Sequence, residues 1–239
     1  MEYATLGNTG LLVSKLCFGT MTFGDGRGIF KAISAVGQAG ADELVKTSID
    51  DGINFFDTAD NYTDGESEKI LGQSLKNLNI ARKDVVIATK VYSRVGPGRN
   101  DIGASRGHIM DAVEASLRRL QTDHIDLYQI HGNDAVTPVE ETLRALDTLV
   151  QQGKVRYIGC SNWQAWNCQS PGHLRVQEPD PIRHASSLLL DRRPRSRTGN
   201  RSPAAIRKGR PARMESACRW LAVRKVQPDE PEAHRLAPH

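Results

Sequence analysis

Segments typical of buried β-strands alternate with amphipathic segments along the first 166 residues of this chain. The strand-like runs are, in order, KLCFGT, NFFDTA, VVIATK, HIDLYQIH and VRYIGCSN. Helical patterns and short connections separate them, so strand and helix alternate five times. Parallel strands need crossover connections of this kind, and the alternation therefore predicts a parallel sheet covered by helices.

Reactive polar residues stand at or just after the ends of four of these runs. In chain order they are Asp57, Tyr62, Lys90, His131, Ser161 and Asn162. The carboxyl ends of successive parallel strands meet at one end of a β/α barrel, where active sites lie. No Gly-rich dinucleotide fingerprint follows the first strand, so the pattern favours a barrel over a Rossmann domain.

The bounds of the elements follow from turn and capping signals. Residues 3–14 are predicted as two short strands around the turn GNTG, and KLCFGT as the first buried strand. Helices are predicted within residues 41–52, 66–78, 106–121 and 137–153. Gly52 and Gly153 end the first and last of these helices, because glycine favours the position after a helix terminus.

The bulk composition excludes several classes of protein. A chain of 239 residues suits one α/β domain, although a closed eightfold barrel typically needs about 250. No apolar run approaches the roughly 20 residues of a membrane span, and the first residues show no secretory signal pattern. The cysteines Cys17, Cys160, Cys168 and Cys218 have no metal-ligand spacing. A cytoplasmic protein without a metal site is the expectation.

The strand-end residues together indicate carbonyl reduction. The phenol of Tyr62 is a poor acid at neutral pH, but an adjacent ammonium group such as Lys90 would lower its pKa. Asp57 would keep Lys90 charged and oriented, and His131 would donate a hydrogen bond to a substrate oxygen. No Ser or Cys nucleophile is positioned, so hydride from a nicotinamide cofactor is the natural partner of this set.

Five segments resemble the aldo-keto reductase family in order and spacing: GTMTFG, FFDTADNYTDGESEKILGQSL, VVIATKV, DLYQIHG and GKVRYIGCSNW. The resemblance covers residues 1–166 and implies a TIM (β/α)8 barrel that reduces aldehydes or ketones with NADPH. It implies a general acid at Tyr62, tuned by Lys90 and Asp57, and a carbonyl-orienting His131. For the cofactor it implies that Ser161 and Asn162 hold the nicotinamide amide and that Gly19, Thr20 and Met21 line the cleft.

Taken one at a time, these residue types have simpler interpretations. A single Asp or Lys at a strand end is usually a cap or a surface ion pair, and a single Tyr is usually a packing residue. His108 and His124 are expected at the surface. Loop solvation and helix N-terminal charge are expected for Asp60, Asp64 and Glu66. The ordered set, and not any single member, carries the catalytic interpretation.

Residues 167–239 form a different kind of sequence. Residues 1–166 carry 17 Lys and Arg against 21 Asp and Glu, whereas the tail carries 15 against 7 and nine of the 11 prolines. Three interpretations compete: a basic arm that binds nucleic acid, simple disorder, and a frameshifted translation beginning at Trp166. The frameshift is preferred, and nucleic-acid binding is not expected.

The genetic code supports the frameshift interpretation. Synonymous codons for most of the tail, read one base later, can encode a continuation that resembles the aldo-keto reductase pattern. Some of the resulting codons are forced: Met214 followed by Glu215 must yield a Trp codon, and Trp220 followed by Leu221 must yield a Gly codon. In this interpretation the chain retains about five β/α units and a non-native tail.

A barrel cut at this point is expected to be impaired. Five strands cannot close an eight-stranded barrel, and an open parallel sheet exposes its edges. The resemblance also implies cofactor contacts from the second half of the barrel that this chain lacks. The alternative is a non-catalytic binding subunit, like the channel-associated members of the same family. If the chain is instead a reductase, its expected ligand is a small-molecule carbonyl substrate.

Overall fold

The structure, a computed structural model, describes residues 1–7, 9–25, 33, 35–162 and 221–223. Its main element is a sheet in which five parallel strands stand in chain order. They are β3 (Phe18–Gly19), β4 (Phe55–Asp57), β5 (Val86–Val91), β6 (Ile125–Ile130) and β7 (Val155–Cys160). The parallel pairing confirms the sheet predicted from the alternation of strands and helices.

The described residues form four α-helices between these strands. They are α1 (Gln38–Asp50), α2 (Glu66–Asn77), α3 (Arg106–Leu120) and α4 (Val139–Gln151). Neighbouring helices in the chain pack against each other. Gly52 has a φ of 86° just after α1, as the predicted helix end requires. The Oγ of Ser105 caps α3 by accepting the backbone N–H of His108.

Both faces of the sheet are buried, as in a β/α barrel wall. The helix side packs against α1–α4 through a large apolar cluster that includes Phe56, Ile87, Tyr128, Leu71, Ile109 and Leu146. The opposite side forms a smaller cluster of Phe55, Val86, Ala88 and Leu127 with Leu6 and Val13. Two-sided burial explains why the strand sequences are continuously apolar and do not alternate.

The amino-terminal hairpin contributes Leu6 and Val13 to that smaller cluster. Its strands, β1 (Tyr3–Thr5) and β2 (Leu12–Ser14), pair antiparallel, which confirms the predicted pair of strands around the GNTG turn. A strand does form within KLCFGT, which was predicted as the first buried strand, but β3 has only two residues and the prediction of burial is wrong. Phe18 is half-buried and Gly19 is exposed. In the described part of the sheet β3 is an edge strand with β4 as its neighbour.

Only three residues of the tail are described. They form β8 (Leu221–Val223), which pairs antiparallel with β7. The strands of a β/α barrel are parallel, so β8 does not continue the β/α order. The other residues of 167–239, to which the disorder, nucleic-acid and frameshift interpretations apply, lie outside the described part of the chain. Within that part, no helix has the length and apolar character that a membrane crossing requires.

Helices α2 and α3 come into close contact at Gly72. A Cβ on Gly72 would lie 2.5 Å from the carbonyl oxygen and 2.9 Å from the Cα of Leu120. We expect Gly72→Ala to force the two helices apart and to lower the free energy of unfolding by about 1–3 kcal/mol. Urea unfolding measures the change.

Gly107→Ala is the matched control for this substitution. Gly107 also lies in a helix, but a Cβ there would meet no atom within 4 Å. Alanine at this position should leave the stability unchanged or raise it by up to about 1 kcal/mol, because it restricts the unfolded chain. Equal losses for the two variants would contradict the close helix contact.

Candidate active site

Asp57 and Lys90 form a buried ion pair at the carboxyl edge of the sheet. Asp57 ends β4, and Lys90 lies near the end of β5. The Lys90 ammonium donates to Asp57 Oδ2 at 2.7 Å and to the Thr58 carbonyl oxygen at 2.9 Å. The two side chains are only 2% and 6% exposed. The structure thus brings together the pair that the strand-end pattern predicted, and fixes the ammonium group in place.

Tyr62 approaches the same ammonium group. Lys90 Nζ lies 3.3 Å from the Tyr62 hydroxyl oxygen and 5.0 Å from the centre of its ring. Tyr62 is buried, in a short 3-10 turn between β4 and α2. A cation at this distance stabilises the phenolate that a proton transfer from Tyr62 would leave. The contact makes Tyr62 the group in this cluster best placed to donate a proton.

His131 follows β6 and borders Tyr62. The two rings meet edge to face, with their centres 5.7 Å apart. Burial, and secondly the positive charge of Lys90, lower the pKa of His131 to about 4. The imidazole is therefore neutral at pH 7, with one N–H to donate and one nitrogen to accept. It suits the orientation of a neutral carbonyl group.

Ser161 and Asn162 follow β7 at the same edge. The Ser161 backbone N–H donates to the Ile130 carbonyl oxygen at 2.8 Å, which continues the pairing with β6. Asn162 has a φ of 58°, and its Nδ2 donates to the His131 carbonyl oxygen at 2.9 Å and to Ser161 Oγ at 3.1 Å. In this arrangement the Asn162 amide supports the His131 backbone. Binding of a carboxamide by these two residues stays a prediction.

The segment after β3 holds the three predicted cleft residues. Gly19 is exposed, and a Cβ there would meet nothing within 4 Å. Thr20 is fully buried, and its hydroxyl lies 3.1 Å from the Asp57 carbonyl oxygen and 2.8 Å from Ser67 Oγ. Thr20 therefore anchors the segment to β4 and α2. A cofactor-lining role for Gly19, Thr20 and Met21 stays a prediction.

A left-handed turn follows Tyr62. The sequence signals only its last two positions, because Asp and Gly tolerate positive φ and Thr does not. Residues 63–65 have φ values of 49°, 55° and 85°. Positive φ is strained for the β-branched Thr63. Thr63 Oγ1 donates to the Phe23 carbonyl oxygen at 3.1 Å, and a Cβ on Gly24 would lie 2.5 Å from Thr63 Cγ2. These contacts hold the turn that carries Tyr62 against the segment after β3.

Two sequence predictions about polar residues are wrong. Asp60 is 2% exposed and not a solvated loop residue, and burial raises its pKa well above the usual value for aspartate. His108 is 4% exposed and not a surface residue, and burial lowers its pKa. Both lie where tertiary packing covers a polar side chain, which no local pattern reveals. Glu66 does lie in the first turn of α2, as predicted.

Glu68 is a buried residue that was not predicted from the sequence. It is completely buried, and its Oε2 accepts from Arg119 Nε at 2.6 Å. A signal was present: Glu68 precedes the buried Leu71 by three positions and Leu75 by seven, so it shares the apolar face of α2. A charged residue on such a face predicts a buried ion pair.

The parallel sheet, its helices and the polar cluster at the strand ends define an α/β protein with reactive side chains at the carboxyl edge of the sheet. The family model described as Aldo/keto reductase family matches residues 15–182. The chain therefore belongs to the aldo-keto reductase family. The matched region extends past Trp166, where the family pattern was predicted to end.

Several relatives share this part of the chain. A probable voltage-gated potassium channel subunit beta of Arabidopsis thaliana is 42% identical over 166 residues, which are 69% of this chain and 48% of that protein. Versiconal hemiacetal acetate reductase of Aspergillus parasiticus is 40% identical over 194 residues, covering 74% and 55% of the two chains. The chain spans about half the length of the curated relatives it matches.

A solved structure shows the same architecture. An aldo-keto reductase from Bacillus halodurans, in its holo form, superposes with a TM-score of 0.58 at 38% sequence identity. The match covers 68% of this chain and 50% of that chain. Sequence and structure comparisons thus agree on the family and on the portion of it that this chain contains.

Proposed function

We propose that the chain carries the catalytic half of an NADPH-dependent carbonyl reductase that converts aldehydes or ketones to alcohols. The observation that carries this proposal is the buried Lys90 ammonium, which contacts both Asp57 and Tyr62. A proton donor, the cation that favours its anion, and the carboxylate that holds the cation are the groups that carbonyl reduction needs. Family membership supports an oxidoreductase in general.

Each residue of the cluster has a distinct role in this proposal. Tyr62 transfers its proton to the carbonyl oxygen, and Lys90 stabilises the phenolate that remains. Asp57 keeps Lys90 oriented toward Tyr62 and compensates its charge in the buried site. Neutral His131 donates a hydrogen bond to the same oxygen and so fixes which face of the carbonyl group is presented.

The residues at this edge of the sheet fit a nicotinamide cofactor. Gly19 is exposed beside Asp57, with no atom within 4 Å of a Cβ built there, and Ser161 Oγ lies 3.1 Å from the Asn162 amide nitrogen at the same edge. When bound, the nicotinamide would supply the hydride that reduces the carbonyl carbon. Gly19, Thr20, Met21, Ser161 and Asn162 are proposed to hold it, and the preference for NADPH comes from the family resemblance.

We also propose that residues 167–239 arise from a shift of reading frame near Trp166. The composition of the tail, the codons forced in the shifted frame and the antiparallel β8 support this proposal. The nucleotide sequence across codons 160–240 of the gene and of a close relative tests it. An unbroken frame in both would contradict it. We also propose a cytoplasmic location, which the apolar surroundings of Cys17 and Cys160 support.

The purified chain is expected to bind NADPH weakly, and a version with the codons after Trp166 read one base later is expected to bind it well. The present chain binds weakly because it contains only the first half of the barrel. That half supplies the catalytic residues but only some of the proposed cofactor contacts. A fluorescence titration with NADPH measures both affinities. Tight, saturable binding by the present chain would contradict the proposed impairment, and failure of the restored chain to bind would contradict the cofactor assignment.

A non-catalytic binding subunit is the second candidate function. The observation that favours it is the similarity to the Arabidopsis thaliana protein named as a potassium channel subunit beta. The retention of Asp57, Tyr62, Lys90 and His131 in contact with one another favours the reductase, because binding alone does not require a buried proton donor with its cation. Substitution of Tyr62, described in the Discussion, separates the two candidates.

A further inference from the structure

Three buried hydroxyl groups meet next to the Asp57–Lys90 ion pair. They belong to Thr20, which follows β3, to Thr58, which follows β4, and to Ser67 in the first turn of α2. All three residues are completely buried. Ser67 Oγ lies 2.8 Å from Thr20 Oγ1 and 3.0 Å from Thr58 Oγ1. Ser67 is therefore the centre of this hydroxyl cluster.

The Ser67 hydroxyl uses its whole hydrogen-bonding capacity in the cluster. It donates its one proton to the Thr20 carbonyl oxygen at 2.7 Å. Its two lone pairs face the hydroxyl groups of Thr20 and Thr58. Alanine at this position would leave three buried polar groups each short of one partner, which is unfavourable in a dry interior.

Helix capping does not explain Ser67. Serine near the start of a helix is usually an N-cap residue, whose side chain accepts a backbone N–H of the same helix. The N-cap residue of α2 is Gly65, and the Ser67 hydroxyl donates to a carbonyl oxygen 47 positions earlier in the chain. The contacts of Ser67 are thus tertiary, and they join α2 to the ends of two strands.

Through Thr58, Ser67 is connected to the Lys90 ammonium group. The hydroxyl of Thr58 contacts Ser67, and the carbonyl oxygen of the same residue accepts from Lys90 Nζ at 2.9 Å. The Thr58 N–H donates to the Ala88 carbonyl oxygen at 2.9 Å. Since the side chain of Thr58 is also held, the direction in which its carbonyl group faces Lys90 depends on Ser67.

Through Thr20, Ser67 is also connected to Asp57. The Thr20 backbone N–H and hydroxyl lie 2.9 Å and 3.1 Å from the Asp57 carbonyl oxygen. The Asp57 carboxylate is the other acceptor of the Lys90 ammonium, at 2.7 Å. Both acceptors of Lys90 therefore belong to residues that are linked to the Ser67 hydroxyl, either directly or through Thr20.

The contact between Ser67 and Thr58 also closes the loop that carries Tyr62. The two residues lie at the ends of this loop, and their hydroxyl oxygens are 3.0 Å apart. Tyr62 lies between them, in the 3-10 turn before α2. A loop whose ends are tied together has fewer conformations than a free one, so the contact restricts where Tyr62 can lie relative to Lys90.

We propose that Ser67 is a positioning residue, whose hydroxyl group fixes the Asp57–Lys90 ion pair and the Tyr62 loop relative to each other. The three-way contact of this hydroxyl carries the proposal. Its use in proton transfer from Tyr62 rests on the proposed function, whereas the positioning of Lys90 does not. A serine that only anchored α2 would stabilise the fold without any effect on Lys90.

The first test is a double-mutant cycle in the full chain, measured by urea unfolding. Ser67→Ala should raise the unfolding constant roughly 10–100-fold, because its buried partners lose a hydrogen bond. With Asp57→Asn and Lys90→Met already present, the rise should be at least about threefold smaller, since the ion pair that Ser67 positions is absent. An equal rise in both backgrounds would overturn the proposal.

Ser74→Ala is the matched control for this cycle. Ser74 is also completely buried in α2, but its hydroxyl accepts from Gln38 Nε2 at 2.9 Å and not from the cluster. Its loss should raise the unfolding constant by the same factor whether or not the ion pair is present. A dependence on the ion pair as large as that of Ser67→Ala would show that the cycle reports general destabilisation, and would equally reject the positioning role.

The second test observes the Lys90 ammonium group directly, by NMR of the full chain with isotope-labelled lysine. The loss of one signal in Lys90→Met assigns it. Ser67→Ala and Thr58→Val each remove a hydroxyl of the cluster and should shift this signal, whereas Thr58→Ser retains the hydroxyl and should leave it in place. An unmoved signal in Thr58→Val, or the same shift in Thr58→Ser, would contradict the positioning role. Neither test uses NADPH or substrate, so both decide the role of Ser67 even if the reductase proposal fails.

Discussion

Lys90→Met should lower the free energy of unfolding by about 3–5 kcal/mol, the loss typical of removing one partner from a buried ion pair. Lys90 and Asp57 have side chains that are 2% and 6% exposed, and their charged atoms lie 2.7 Å apart. Methionine preserves most of the apolar stem but leaves the Asp57 carboxylate buried without its counter-charge. Domains are stable by only about 5–15 kcal/mol, so urea unfolding will show a large shift.

Lys69→Met is the matched control for this loss. Lys69 pairs with Glu66 one turn away on α2, but the two side chains are 54% and 43% exposed. Water screens such a pair, and its removal should change the stability by about 0–1 kcal/mol. Asp57→Asn added to Lys90→Met should restore part of the loss, because the orphaned charge disappears. Similar losses for Lys90→Met and Lys69→Met would show that Asp57 is not held in a dry environment.

The catalytic cluster could be predicted because it depends on topology. Asp57, Lys90 and His131 end or follow successive strands, and parallel pairing in chain order brings strand ends together whatever the details of packing. The apolar runs predicted the positions of the strands, and the glycines after helices predicted the helix ends, to within a few residues. Contact between Lys90 and Tyr62 was expected for the same reason, because Tyr62 lies in the loop that follows β4.

The features that were missed depend on contacts between distant segments. Asp60 is only 2% exposed, although the sequence around it has the composition of an exposed turn. The left-handed conformation of Thr63 is held by Phe23 and Gly24, which lie some 40 positions earlier in the chain. Burial and strain of this kind are properties of packing, and a single sequence carries no periodic signal for them.

Tyr62→Phe should reduce kcat for carbonyl reduction by about 10²–10⁴-fold, the contribution typical of a positioned general acid. The substitution is made in the chain whose codons after Trp166 are read one base later, because this restored chain is expected to bind NADPH. Phenylalanine keeps the edge-to-face contact with His131 and loses only the hydroxyl that lies 3.3 Å from Lys90. Steady-state rates with a small aldehyde and NADPH measure the loss.

The affinity for NADPH separates a catalytic from a structural effect of this variant. If Tyr62 acts in proton transfer, cofactor binding should change little while kcat falls, because the hydroxyl matters only when charge develops on the carbonyl oxygen. Tyr3→Phe removes a hydroxyl that bonds to the Gly52 carbonyl in the hairpin region and should leave both quantities unchanged. Full activity in Tyr62→Phe would exclude Tyr62 as the acid. With cofactor binding retained as well, that result would favour a binding subunit, since binding has no need of a proton donor beside Lys90.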